Sequence, residues 1–174
     1  MKVFGITGWS GSGKTTLIVK LIAELRARGL RVATIKHAHH GFDLDRPGKD
    51  SYRHREAGAE QVLVVSGTRW VLMQELHGRP EPTLIEQLQL LAPCDVVLIE
   101  GFKQAAVAKI EVHRPLLGQP LLAADDPTVI AVASDAELDC AQPLLPLNDV
   151  AQIADFLLRY AEAQTSSLFP FNLP

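Results

Sequence analysis

The chain has 174 residues, of which 47% are apolar and 21% charged, and it carries a net charge of −3. That length and balance describe one ordinary globular domain with a real core. The acidic balance argues against nucleic acid as the main partner, which usually calls for a basic surplus. No apolar run reaches the roughly 18 residues that span a bilayer. The opening MKVFGITGW reaches Gly8 too soon for a signal-peptide core, so no membrane and a cytoplasmic location are expected. Cys94 and Cys140 fall in no CxxC spacing and are expected as buried free thiols.

Residues 2–7 read as a short strand, and the glycine-rich 8–13 as a loop. A helix follows, with Leu17, Leu21, Ile22 and Leu25 at helical spacing and Gly29 as its stop. Residues 31–36 form a second strand, so strand, helix and strand make a βαβ unit in one parallel sheet. Residues 37–50 are a long polar loop, of a length that is usually functional or disordered. A short helix is expected over 51–57, then a hairpin of strands 61–66 and 69–76 turning at Gly67 and Thr68. A helix over 83–91 lies between Pro82 and Pro93.

The stretch 95–99 (DVVLI), continuous and rich in β-branched residues, predicts a central strand buried on both faces. The alternation AKIEVHR over 108–114 predicts a half-exposed strand. Residues 129–133 form another buried strand and 144–147 a short one. A closing helix over 150–163 places Ile153, Phe156, Leu157 and Tyr160 on one face. The domain therefore covers 1–163, with 164–174 as a tail. The fold class is α/β: a three-layer P-loop NTPase-like domain whose mostly parallel central sheet is widened by the added β-hairpin.

The strongest chemical signal is GWSGSGKT at 8–15, a full match to G-x-x-x-x-G-K-[ST] between a strand and a helix. Glycines let the backbone curl so that N–H groups converge on phosphate oxygens, and the helix start adds its positive end. Gly8, Trp9, Ser10, Gly11, Ser12, Gly13, Lys14, Thr15 and Thr16 are the expected nucleotide-binding segment. Lys14 supplies a charge between the outer phosphates, and the Thr15 hydroxyl a ligand for Mg²⁺. Glu100 ends the buried strand at the carboxyl edge of the sheet, where ligands of open α/β folds sit. It could hold Mg²⁺ through water or orient an attacking water, so Lys14 and Glu100 are the expected catalytic groups. Lys36 ends the second strand at the same edge, as a further phosphate partner or a solvated strand end.

The loop histidines His37, His39 and His40 could bind a transition metal, or belong to a polar loop that closes over nucleotide. The second reading is favoured, because no further ligand cluster completes a metal site. Asp43, Asp45 and Asp50 lie in the same loop, and Asp50 suits a helix N-cap.

The combination GWSGSGKTT, TIKHAHH, DLDRPGKDSYRHREAGA, LIEGFK and VIAVASD resembles the MobB family, the adaptor proteins of molybdopterin guanine dinucleotide biosynthesis. The resemblance runs from Lys2 to about Tyr160, and the 45–59 and IEGFK stretches make it narrow. It implies a cytoplasmic GTP-binding homodimer with slow hydrolysis, working beside the MobA-type molybdopterin guanylyltransferase. The wider class, which includes dethiobiotin synthetase and nickel-inserting GTPases, implies Lys36, Asp50 and Glu100 as site residues. Thr15, Asp50 and Glu100 then become the expected Mg²⁺ ligands. The N-K-x-D guanine-reading element is absent; Ser134 and Asp135, or Asn148, are the nearest candidates, so GTP over ATP rests on the resemblance. The expected role is a nucleotide-gated adaptor in which the 37–50 loop orders around triphosphate and Mg²⁺. A phosphate-activating enzyme and a nickel chaperone are the rival readings.

Overall fold

The structure is a computed structural model that describes residues 1–38, 44–102 and 105–165. In chain order its elements are β1 (Lys2–Thr7), α1 (Lys14–Ala27), β2 (Val32–Lys36), α2 (Asp50–Glu56), β3 (Gln61–Val65) and β4 (Trp70–Gln74). They continue with α3 (Leu84–Gln89), β5 (Val96–Glu100), β6 (Lys109–His113), β7 (Val129–Ser134), β8 (Leu144–Pro146) and α4 (Val150–Thr165). Two compact units result: Met1–His37 with Gln89–Pro174, and Ala38–Leu88.

The first unit holds a six-stranded sheet in the order β2-β5-β1-β6-β7-β8, every neighbouring pair parallel. Phe4, Ile6, Val96, Leu98, Ile110 and Val112 on one face of the sheet pack with Leu17, Leu21 and Leu25 of α1 and Ile153 and Leu157 of α4. Each such side chain taken from water stabilises the fold by roughly 1.5–3 kcal/mol before the entropy of ordering it is set against that gain. The expected apolar face of the closing helix is present, with Phe4 and Tyr160 meeting edge to face at 6.5 Å. No helix among the described residues is long and apolar enough to cross a membrane.

Strand β6 departs from expectation. Its alternation predicted one wet face, yet all five residues from Lys109 to His113 are buried. Ile110 and Val112 enter the core, while the alternate residues Lys109, Glu111 and His113 line the other face. That polar row is satisfied from within the protein. Lys109 Nζ donates to Asp126 Oδ2 at 2.9 Å and to Thr128 Oγ1 at 2.8 Å. The Glu111 carboxylate accepts the amides of Leu122 and Ala123 at 3.0 and 2.8 Å. Buried polar groups persist when partnered, and alternation in a sequence does not tell a partnered face from a wet one.

In the second unit β3 and β4 pair antiparallel from Gln61↔Gln74 to Val65↔Trp70. The hairpin does not widen the central sheet, as the sequence suggested. It forms a two-stranded sheet of its own, because its backbone ladder closes between its own two strands. Helix α2 starts one residue earlier than expected, with Lys49 as N-cap and Asp50 in the first turn, so Asp50 is not the cap. Asp45 anchors the approach to this helix, accepting from the Arg46 amide (3.0 Å), Ser51 Oγ (2.9 Å) and Arg55 Nε (3.3 Å). Burial pushes the Asp45 carboxyl up, but these donors outweigh it and hold it below the usual carboxylate range. Arg55 continues to Glu75 at 2.6 Å and so ties helix to hairpin. His39, His40 and Asp43 lie outside the described residues, as does most of the expected tail. The two cysteines are free and partly buried.

Candidate functional site

The site is built where β1, β5, β2 and β6 end at one edge of the parallel sheet. Register places Lys36 and Ile6 on either side of Glu100. The chain leaves β1 through Gly8, whose φ of 140° only glycine adopts without strain. A Cβ there would lie 2.4 Å from the Val112 carbonyl oxygen and 2.8 Å from Ser12 Oγ, so the loop curls tightly against β6. Gly13, at φ 102°, then turns the chain into α1 as its N-cap.

This helix start has neither a capping side chain nor an acid in its first turn. Its unsatisfied N–H groups and dipole therefore favour an anion. Ser12 Oγ is buried with no hydrogen-bond partner among the described residues. An orphaned hydroxyl inside such a curl fits a phosphate-binding loop, where a phosphate oxygen would complete it. The Lys14 ammonium folds over the loop and donates to the carbonyl oxygens of Gly8 (3.0 Å) and Trp9 (2.9 Å). The Trp9 indole donates to the Pro120 carbonyl at 2.7 Å, which ties the loop to the segment after β6.

Thr15 Oγ1 donates to Glu100 Oε1 at 2.7 Å, and Lys36 Nζ lies 3.7 Å from Glu100 Oε2. Thr15, Glu100 and Lys36, far apart in sequence, thus share one spot beside the loop. A hydroxyl and a carboxylate are hard oxygen donors of the kind that suits Mg²⁺. Gly101 and His37 are in close contact just beyond, and the His37 ring lies 4.9 Å from that of Phe102. Asp50, expected beside the same metal, belongs to the second unit as the first residue of α2.

Ser134 and Asp135 follow at the end of β7. Ser134 is buried, and its Oγ accepts the Ala136 amide at 3.2 Å. Asp135 is engaged by Arg114, whose Nη1 lies 2.6 Å from its Oδ2. Sequence reasoning did not single out Arg114, although it closes the 108–114 pattern and stands just before Pro115. Together with Gly13, Thr16, Lys20 and Asn148 it lines a small recess beside the start of α1.

Comparison with known proteins identifies the family and the fold. Residues 3–135 match the family model of molybdopterin guanine dinucleotide synthesis protein B. A Haemophilus influenzae protein named molybdopterin-guanine dinucleotide biosynthesis adapter protein is 46% identical over 158 residues, covering 89% of this chain and 86% of its own. The Escherichia coli protein of the same name is 45% identical over 169 residues, covering 93% and 94%. A solved structure of molybdopterin-guanine biosynthesis protein B superposes with a TM-score of 0.72 at 28% identity, covering 91% of this chain and 99% of that one. Bacillus subtilis MobB superposes with a TM-score of 0.70 at 26% identity, over 92% and 98%.

Proposed function

The chain belongs to the family of molybdopterin guanine dinucleotide synthesis protein B, and from that premise we propose that it is a GTP- and Mg²⁺-binding adapter in making that dinucleotide. The observation that carries the nucleotide half is the meeting of the phosphate loop with Thr15, Glu100 and Lys36 at one sheet edge. In this reading the loop amides and Lys14 hold the phosphates. Thr15 and Glu100 hold the Mg²⁺, and Lys36 offsets phosphate charge. A bound Mg²⁺ would neutralise charge on the outer phosphates. Guanine over adenine is supported by the family relation rather than by any residue contact.

The adapter half is supported by the names its relatives carry. Purified chain with GTP and molybdopterin should make no dinucleotide alone, yet should raise the yield when a MobA-type guanylyltransferase is added. Dinucleotide made by this chain alone would make it the enzyme. No effect on the transferase, with or without GTP, would remove the adapter role.

A homodimer in the cytoplasm completes the proposal. Leu63, Val65, Trp70 and Leu72 of the β3–β4 hairpin are all exposed, at 59, 66, 67 and 44%, and line one apolar groove with Gln61. Large exposed apolar surface on a hairpin invites covering by a second copy. Sedimentation at micromolar concentration should give twice the 19.0 kDa of one chain. Trp70→Glu should shift the population toward monomer. A wild-type monomer, or a dimer indifferent to the charge at position 70, counts against this face.

A further inference from the structure

Arg114 lies outside the phosphate-loop motif, 101 positions beyond Gly13 by residue number (114 against 13), yet it touches the loop directly. Its Nε donates to the Ser12 carbonyl at 2.9 Å, and its Nη1 pairs with Asp135 Oδ2 at 2.6 Å. A Cβ built on Gly13 would meet Nε and Nη2 at 3.6 Å, so the guanidinium lies in ordinary contact distance of that turn. A planar guanidinium offers its donors in a rigid fork, so one side chain holds two acceptors in a fixed relative geometry.

The peptide between Ser12 and Gly13 is trans, as all described peptides are. In a trans peptide the carbonyl and the N–H point to opposite sides. Anchoring the Ser12 oxygen on Arg114 therefore turns the Gly13 N–H away from Arg114. That N–H takes no acceptor among the described residues. A charged donor on the carbonyl also polarises the same peptide and makes its N–H a better donor.

We propose that Arg114, held in place by Asp135, is a positioning residue that aims the Gly13 amide at a bound phosphate group. This rests on the phosphate-loop reading and deepens it. Asp135 then acts through Arg114 and not as a reader of guanine, and the affinity it supports is independent of the base.

The test titrates the full chain with inorganic tripolyphosphate, GTP and ATP, each with Mg²⁺, in wild type, Arg114→Gln, Arg114→Lys and Asp135→Asn. Arg114→Gln should lose about tenfold for all three ligands, the scale of one charge-assisted hydrogen bond, leaving the GTP-to-ATP ratio unchanged. Arg114→Lys should recover part of the loss, and Asp135→Asn should lose less but in the same pattern. Adding Asp135→Asn to Arg114→Gln should cost nothing further, since both act through one contact. Tripolyphosphate binding unchanged in Arg114→Gln overturns the proposal, as does a loss confined to GTP. A fall in melting temperature that accounts for the lost affinity would make Arg114 merely structural. Should Arg114→Gln not fold, Asp135→Asn carries the same comparison. A wild-type chain that binds none of the three ligands overturns the phosphate-loop reading itself, and this inference with it.

Discussion

Replacing Lys14 with alanine is expected to lower triphosphate affinity by about a hundredfold or more while leaving the fold intact. The ammonium already reaches across the loop to the Gly8 and Trp9 carbonyls, so it lies against the backbone expected to hold phosphate. Each hydrogen bond from a charged donor to phosphate is worth roughly 1.5–3 kcal/mol, and a lysine between two phosphates can make two. At about 1.4 kcal/mol per tenfold, the loss spans roughly two to four orders of magnitude. The fold should tolerate the change because Lys14 is only partly buried, and the carbonyls it leaves can turn to water. Calorimetric titration with GTP checks the affinity and circular dichroism the fold. Affinity near wild type would sink the phosphate-loop assignment. In the same titration Glu100→Gln keeps its shape beside Thr15 but loses its charge, so Mg²⁺ should strengthen GTP binding less than in wild type. An unchanged Mg²⁺ effect would remove Glu100 from the metal site.

The second large effect is on stability, and it comes from the buried face of β6. Asp126→Asn should destabilise the chain by about 3 kcal/mol at neutral pH. Lys109 is 2% exposed, and Asp126 places a carboxylate oxygen 2.9 Å from its ammonium. Breaking a buried ion pair by removing one partner costs roughly 3–5 kcal/mol. The lower end applies because Asp126 keeps 26% of its exposure and asparagine can still accept a hydrogen bond. In a chain of this size that corresponds to a fall of roughly 6–12 °C in melting temperature.

The effect carries a pH signature. Burial pushes the Asp126 carboxyl up, but the Thr128 hydroxyl, the Lys109 ammonium and the Thr128 amide together hold it below its ordinary value. A depressed carboxylate contributes stability that is complete above its unfolded pKa, about 3.9, and is lost as pH falls through the folded value. The gap between wild type and Asp126→Asn should therefore be constant from about pH 8 to 5 and close below about pH 4. Urea unfolding at pH 7 and pH 3 measures both. Equal stability at pH 7, or a gap that ignores acid, would show that Asp126 does not stabilise Lys109.

The same strand marks where sequence reading ended. The glycine-rich motif at 8–15 was legible because its pattern is local. Glycines at fixed offsets, a lysine and a threonine must stand in one order for the backbone to curl, and the strand before and helix after them are periodic in their own right. The run Val96–Ile99 was equally plain, since a strand buried on both faces can be apolar throughout. Even Glu100 and Lys36 were placed at the right edge, because a parallel strand ends where its apolar run ends.

The tertiary structure alone decided what depends on partners distant in sequence. Lys109, Glu111 and His113 alternate like the wet face of an edge strand. They are buried because Asp126, Thr128 and the amides of Leu122 and Ala123 arrive from beyond the strand to satisfy Lys109 and Glu111. Gly5, on the neighbouring strand, leaves room for the Lys109 stem; a Cβ there would stand 2.8 Å from Lys109 Cγ. Arg114 was invisible for the same reason, since its meaning lies in a carbonyl of Ser12 and a carboxylate of Asp135. The hairpin's strands were readable from their own residues, but not that its ladder would close on itself apart from the central sheet. Local pattern specifies which groups a segment offers; burial, pairing and charge partners are set by which segments meet.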